Sequence, residues 1–294
     1  MAVFTLPPEM IGFYKKNIEF ITAHAVDPDK RRYASKDEAP RHYIDIDHYV
    51  KEGENPFEIV PQKWSEAVAK YSEDTLQAYG IVPWHISNMT VWLTKAFESG
   101  DLRRILSLSA DIGHYIADAH VPLHTTENYN GQLTGQRGIH GLWESRIPEL
   151  TADDFDYLVG RAKYINSPLE AAWNAVEESH SYLDSVLLLE KKVSLLTPTD
   201  QKYTIEARGT SNVRQYSTYF ALQYNQRMGD MVEKRMREAI YLIGSIWYTA
   251  WVNAGQPDLE KRTDAKEQNQ PTEEEMELEK QYKKGEIKGR EHQD

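Results

Sequence analysis

The 294-residue sequence contains no cysteine. Disulfides, thiolate metal ligands and a cysteine nucleophile are thereby excluded. No uninterrupted apolar stretch approaches the roughly 20 residues that span a bilayer, so the chain does not read as a helical membrane protein. Positive charge is in short supply. Lys+Arg number 34 against 46 Asp+Glu, a formal net charge of −12 with neutral histidine. A chain this acidic does not bind nucleic acid through bulk charge, and any phosphate chemistry needs local positive charge, most simply bound cations. The start, Met1 to Pro8, has no basic opening, no long apolar centre and no small-residue cleavage site, so it is not a signal peptide. Alternating β-branched runs bounded by tight hairpin turns are absent, as are internal repeats and Gly/Ser linkers. What remains is a globular chain, 40% hydrophobic and 27% charged, with enough apolar mass for a core.

The rest reads as helices, and the fold class expected is all-α, one multi-helix domain over residues 1–255. Pro8 sits in the first turn of a helix running to about Ala25. Residues 26–60 are irregular, broken by Pro40 and Pro56. Further helices are expected at about 62–79, from Pro83 to Gly100, from an Asp101 cap to Pro122, and from Ile139 to about Leu150. Ser167-Pro168-Leu169-Glu170 is a capping-box start for a long amphipathic helix to about Leu196. A second long helix is expected from about Ser211 to Asn253, stopping at Gly255. Both long helices read as scaffold that supplies no metal ligand. Residues 256–294 hold 12 Asp/Glu and 8 Lys/Arg and read as a solvated tail or a surface arm, with an exposed helix from Glu273 to Lys284.

Ten histidines are present, and their placement is uneven. His114, His120, His124 and His140 crowd together. His114 and Asp118 are i and i+4, so on a helix both leave the same face one turn apart, able to grip one cation. His140 and Glu144 repeat that spacing. Pro122 ends or kinks the first helix, and His124 can turn towards the second pair. Imidazole and carboxylate without thiolate suit zinc among the common metals. Two pairs plus His124 are too many ligands for one tetrahedral ion, so at least two ions are expected. His120 points off the His114/Asp118 face, and His24 reads as a helix-end histidine.

The run His-Tyr-x-x-Asp-x-x-x-Pro-Leu-His over 114–124, followed by His-x-x-Trp-Glu at 140–144, resembles the zinc-dependent phospholipase C and single-strand-specific zinc nuclease superfamily. Arg41-His42-Tyr43-Ile44-Asp45 resembles the family's His-aromatic-x-Asp segment, and Pro83-Trp84-His85 falls where the family has another ligand histidine. The resemblance implies one zinc on Asp45, His85, His114 and Asp118, and a second on His124, His140 and Glu144. It gives Asp45 either a role in orienting or deprotonating the nucleophilic water or a ligand role alone. His42 and His48 then read as donors beside Asp45 or as solvated loop histidines. The family's third ion is held by an N-terminal tryptophan and a nearby histidine, and Asp118 has the bridging position to it. Here residue 1 is Met, the first tryptophan is Trp64 and the first histidine is His24. The start therefore reads as truncated relative to the family. The resemblance implies a phosphodiesterase of nuclease type acting on single-stranded nucleic acid, with a phospholipase C or a catalytically impaired zinc-binding member as alternatives. It implies export, secreted or periplasmic, and no stable protein partner.

Overall fold

A computed structural model describes residues 1–208, 211–259, 272–285 and 287–288. The chain is mostly helical, with one two-stranded antiparallel sheet. Two long helices form its centre, Val82–Ser99 and Leu102–Ala119. The first ends at Gly100 in the left-handed region, and Asp101 then caps the second by accepting the Arg104 N–H at 3.0 Å. Phe97, Ile105, Ile112 and Ile116 are fully buried between them and the helices Pro168–Ser181 and Met231–Asn253. A second apolar cluster joins Leu123, Ile139, Trp143 and Ile147 to Val186, Phe220 and Tyr224. No helix among the described residues is long and apolar enough to cross a membrane.

Several expected helices are divided. The first breaks at Asn17 into Pro8–Lys16 and Ile18–His24. The helix expected at 62–79 is two, Trp64–Tyr71 and Glu73–Tyr79. Between them Ser72 takes φ 71°, and its side chain accepts the Thr75 N–H. The helix expected over 168–196 is Pro168–Ser181 followed by Leu183–Leu196. The helix expected from Ser211 is corrected at its start. Tyr203–Arg208 and Ser211–Tyr216 pair as a hairpin with Tyr203 opposite Tyr216, and helix resumes at Thr218–Met228 and Met231–Asn253. The hairpin escapes the period-two test because its outward positions are mixed. Ile205 is exposed opposite Arg214, while Tyr216 stacks on Phe220 in the second cluster. The residues between its strands, 209–210, lie outside the described residues.

The tail expected at 256–294 contains a described helix, Glu273–Lys284, started by a full capping box of Thr272 and Glu275. It lies against the short helix Asp27–Arg31. Residues 260–271, 286 and 289–294 lie outside the described residues.

Candidate metal centre

Three elements bring the donors together. The end of Leu102–Ala119 presents His114 and Asp118, as their i,i+4 spacing requires. A 3-10 turn, Pro122–Thr125, follows the break at Pro122 and carries His124. The helical run from Ile139 carries His140 and Glu144, and it has π geometry over Leu142–Arg146. Pro148 has no N–H to give the Glu144 carbonyl, and the turn before it widens. The scaffold helices supply no donor among the described residues but hold these elements in place. Ser179 Oγ donates to Ala119 O at 2.7 Å, Arg235 Nε to His120 O at 3.1 Å, and His180 Nδ1 lies 3.0 Å from Thr125 Oγ1.

The donors form two groups. In one, His124 Nε2 lies 3.2 Å from His140 Nε2 and 3.3 Å from Glu144 Oε2, and His140 Nε2 lies 2.7 Å from Glu144 Oε2. In the other, ligand atoms of Asp29, His42 and His114 all lie within 4.8 Å of one another. Asp118 Oδ2 joins them at 2.9 Å from His42 Nδ1 and 3.4 Å from His114 Nε2. Its Oδ1 is 4.0 Å from His124 Nδ1. A cavity of about 290 Å³ runs between the groups, lined by Asp29, Asp118, His124 and Glu144 among others.

Three imidazoles are fixed in the same way. His114 Nδ1 donates to Ala25 O at 2.9 Å, His124 Nδ1 to His42 O at 2.7 Å, and His140 Nδ1 to Tyr129 O at 3.1 Å. With Nδ1 protonated towards a carbonyl, each neutral ring turns its Nε2 lone pair to the carboxylates and its neighbour. Two lone pairs and a carboxylate facing inward at these distances call for a cation at the centre. Without a metal that cation is a proton. Burial pulls the His114 imidazole down, but Asp118 and then Asp29 push it up to about 10. Burial likewise opposes charge on His124, yet Asp118 and Glu144 raise it to about 9. Burial would raise Asp29, and its hydrogen bond to His114 instead lowers it to about 2. The donor set fits a metal ion bound by nitrogen and oxygen.

Of the seven residues expected as ligands, His114, Asp118, His124, His140 and Glu144 come together. Asp45 and His85 belong to neither group, and Asp29 and His42 take their places. The segment around Asp45 does reach the site, since Ile44 N–H donates to His124 O at 2.9 Å. Yet the side chain that faces the donors is that of His42. Asp45 lies buried at the head of the turn Ile46–Tyr49, beside the Tyr49 phenol. His85 packs edge-on against Tyr115 with centroids 4.5 Å apart, and Tyr115 packs in turn against His42 at 5.2 Å. His85 is thus one aromatic layer behind the donors. Asp29 lies in the stretch read as irregular, in the turn Asp27–Arg31, and no local spacing links it to His114. His24 pairs with Asp27 at 2.5 Å instead of reaching the site.

Behind His42 stands a buried carboxylate, Glu38. Its Oε1 is 3.6 Å from His42 Nε2, and it accepts from Tyr115 Oη and from Arg41 Nη1 at 2.6 Å. Burial would raise Glu38, but the His42 contact and Arg31 hold it down to about 2. When Nδ1 ligates a metal ion, the His42 proton belongs on Nε2, on the side of Glu38. A carboxylate in this position orients a ligating ring. Glu38→Gln is expected to weaken binding of a metal ion at these donors roughly 10- to 100-fold, the usual cost of losing such a partner, in a chelator competition. A change under twofold in a folded variant would remove Glu38 from this role.

His85 and His120 are buried and neutral. Burial first, then Arg41 for His85 and Arg235 for His120, lowers each to about 3. A folded pKa below the unfolded value of about 6.5 means stability present above pH 6.5 and lost as pH falls towards 3. His114 and His124, raised in the fold, contribute fully below pH 6.5 and change nothing over that window. Denaturant unfolding of the metal-free protein is therefore expected to lose about 2 kcal/mol for each of the two histidines between pH 6.5 and 5. Equal stability at both pH values would show that these rings take up protons without cost.

Compared with known proteins, the chain matches no family model and no curated protein.

Proposed function

We propose that the chain is a zinc-dependent phosphodiester hydrolase of nuclease type, with the helical architecture of the zinc phospholipase C and nuclease superfamily. The observation that carries this reading is the pair of facing donor groups across one cavity, with every ring Nδ1 of His114, His124 and His140 tied to a main-chain carbonyl. One group, Asp29, His42, His114 and Asp118, offers four donors and completes a tetrahedral set. The other, His124, His140 and Glu144, offers three and leaves a position open, the pattern of a hydrolytic site. Zinc bound there would offset phosphate charge and supply hydroxide near neutral pH.

The protein's own groups have definable tasks. Asp29 is half-exposed at the cavity and ionised, placed to orient a water molecule as well as to bind. It takes the water-orienting role that the resemblance attached to Asp45. Arg32 and Lys30 line the same cavity and add fixed positive charge for a phosphate in an otherwise acidic protein. Carboxylates alone would repel that substrate. Export from the cytoplasm accompanies this reading by family resemblance.

The test is metal analysis after zinc reconstitution, with hydrolysis of single-stranded DNA, phosphatidylcholine and a chromogenic phosphodiester measured with and without zinc. About two zinc ions per chain and zinc-dependent cleavage of DNA are expected, from the two donor groups. Turnover of phosphatidylcholine in preference to DNA would move the protein to the phospholipase branch. A chain that retains no zinc, or hydrolyses none of the three, would sink the proposal.

A further inference from the structure

The cavity between the donor groups is closed on one side by the C-terminal segment. Tyr282 and Ile287 line it together with Asp118, His124 and Glu144. This segment is far away in sequence, and contacts along its length attach it to the start of Leu102–Ala119 and to the strip that carries Asp29. Arg103 Nη2 donates to both carboxylate oxygens of Glu275, at 2.7 and 2.5 Å, and Glu279 lies 3.5 Å from Lys30 Nζ. Tyr282 packs edge-on against Tyr33 with centroids 5.0 Å apart. Lys288 N–H donates to Arg32 O at 2.9 Å, and its Nζ to Ala34 O at 3.1 Å.

We propose that the described part of this segment, residues 272–285 with 287 and 288, is a substrate-size wall, confining the site to small phosphoesters and strand ends and excluding internal links of a long single strand. The proposal rests on the phosphodiesterase reading. Three observations support it. The cavity, about 290 Å³, is at the low end of the roughly 300–1,000 Å³ of small-molecule sites. An internal phosphodiester needs chain to leave on both sides, and Tyr282 and Ile287 stand on one of them. The helix also exposes Glu273 and Glu277, which repel a polyanion passing over it. Partly exposed ion pairs are individually weak, so the wall is attached more loosely than the core and single substitutions loosen it.

The experiment uses the full chain with Glu275→Arg, which sets like charge against Arg103, and separately Tyr282→Ala, which removes the cavity-facing ring. Two quantities are read from zinc-loaded protein: the rate of zinc removal by EDTA, and the ratio of cleavage of circular single-stranded DNA, which has no ends, to cleavage of a small chromogenic diester. Equilibrium zinc content stays the same, because the segment gives no ligand. Both the stripping rate and the cleavage ratio are expected to rise about fivefold or more in each variant, a factor matching the loss of one or two modest contacts. Faster stripping without hydrolysis of any ester in any protein would overturn the phosphodiesterase reading and the substrate-size role with it, leaving the segment only a cover over the metal donors. Ester hydrolysis with unchanged stripping and unchanged ratio in both variants would overturn the wall alone, as would rapid cleavage of circular DNA by the unaltered protein. Absence of bound zinc in all three proteins would overturn both.

Discussion

For a zinc phosphodiesterase built on these donors, replacing His140 by alanine is expected to remove one zinc ion per chain and to reduce phosphodiester hydrolysis by at least about 10²–10³-fold, the cost of losing one stabiliser of developing charge. His140 Nε2 lies 2.7 Å from Glu144 and 3.2 Å from His124, at the centre of the three-donor group. Two donors remain in the variant, one fewer than catalytic zinc sites keep. The ring is buried, so its loss also costs packing, and thermal melting must accompany the assay. His48→Ala is the matching control. His48 stacks on Tyr79 with centroids 3.2 Å apart, and it belongs to neither donor group. Zinc content and activity unchanged in a folded His140→Ala protein would show that this group is an ion-pair cluster and not a metal site.

The second large effect is a zinc-dependent gain in thermal stability that widens with pH. A ligand that binds only the folded chain, at about 1,000 times its Kd, adds roughly 4 kcal/mol per site. For a chain of this size that is on the order of 10 °C in Tm. The pH dependence follows from the protons that zinc must displace. Burial opposes charge on both His114 and His124, but the surrounding carboxylates raise them to about 10 and about 9 in the metal-free fold. Folded values above the unfolded one mean that these ion pairs stabilise the metal-free protein fully below pH 6.5 and lose that contribution as pH rises through 9 to 10. Zinc competes with those protons, so its affinity falls about tenfold per pH unit for each proton released. The difference in Tm between zinc-loaded and metal-free protein is thus expected to be small at pH 6 and large at pH 9, at one fixed concentration of free zinc. An equal gain at the two pH values would mean that zinc binds away from these rings.

How much of this was legible in advance divides by distance along the chain. His114 with Asp118, and His140 with Glu144, could be read as pairs because helical spacing alone puts i and i+4 on one face. The turn that carries His124 could be read from Pro122, which ends a helix by its chemistry. The central helices Val82–Ser99 and Leu102–Ala119 meet at the expected boundary because Gly100 and Asp101 mark it locally, while the second ends three residues before the expected Pro122. The hairpin Tyr203–Tyr216 was missed because its alternation is blurred by an exposed isoleucine and by charged residues on both strands.

Local patterning is enough for a helical chain without thiol chemistry, in which two i,i+4 pairs and a turn histidine offer nitrogen and oxygen ligands to a cation. The residues that complete the first group come from folding in three dimensions. His42 Nδ1 lies 2.9 Å from Asp118 Oδ2 and joins the donors, while Asp45, three residues on in the same irregular segment, belongs to neither group. His85 is held behind Tyr115 by core packing, and Asp29 arrives on a short helix that docks near the end of Leu102–Ala119. The placement of Tyr282 beside Asp118 and Glu144 was equally invisible in one dimension. Spacing along a helix is set by backbone geometry that every residue shares. Which distant segments meet is set by how the apolar faces pack and by ion pairs between elements, and those depend on the whole chain.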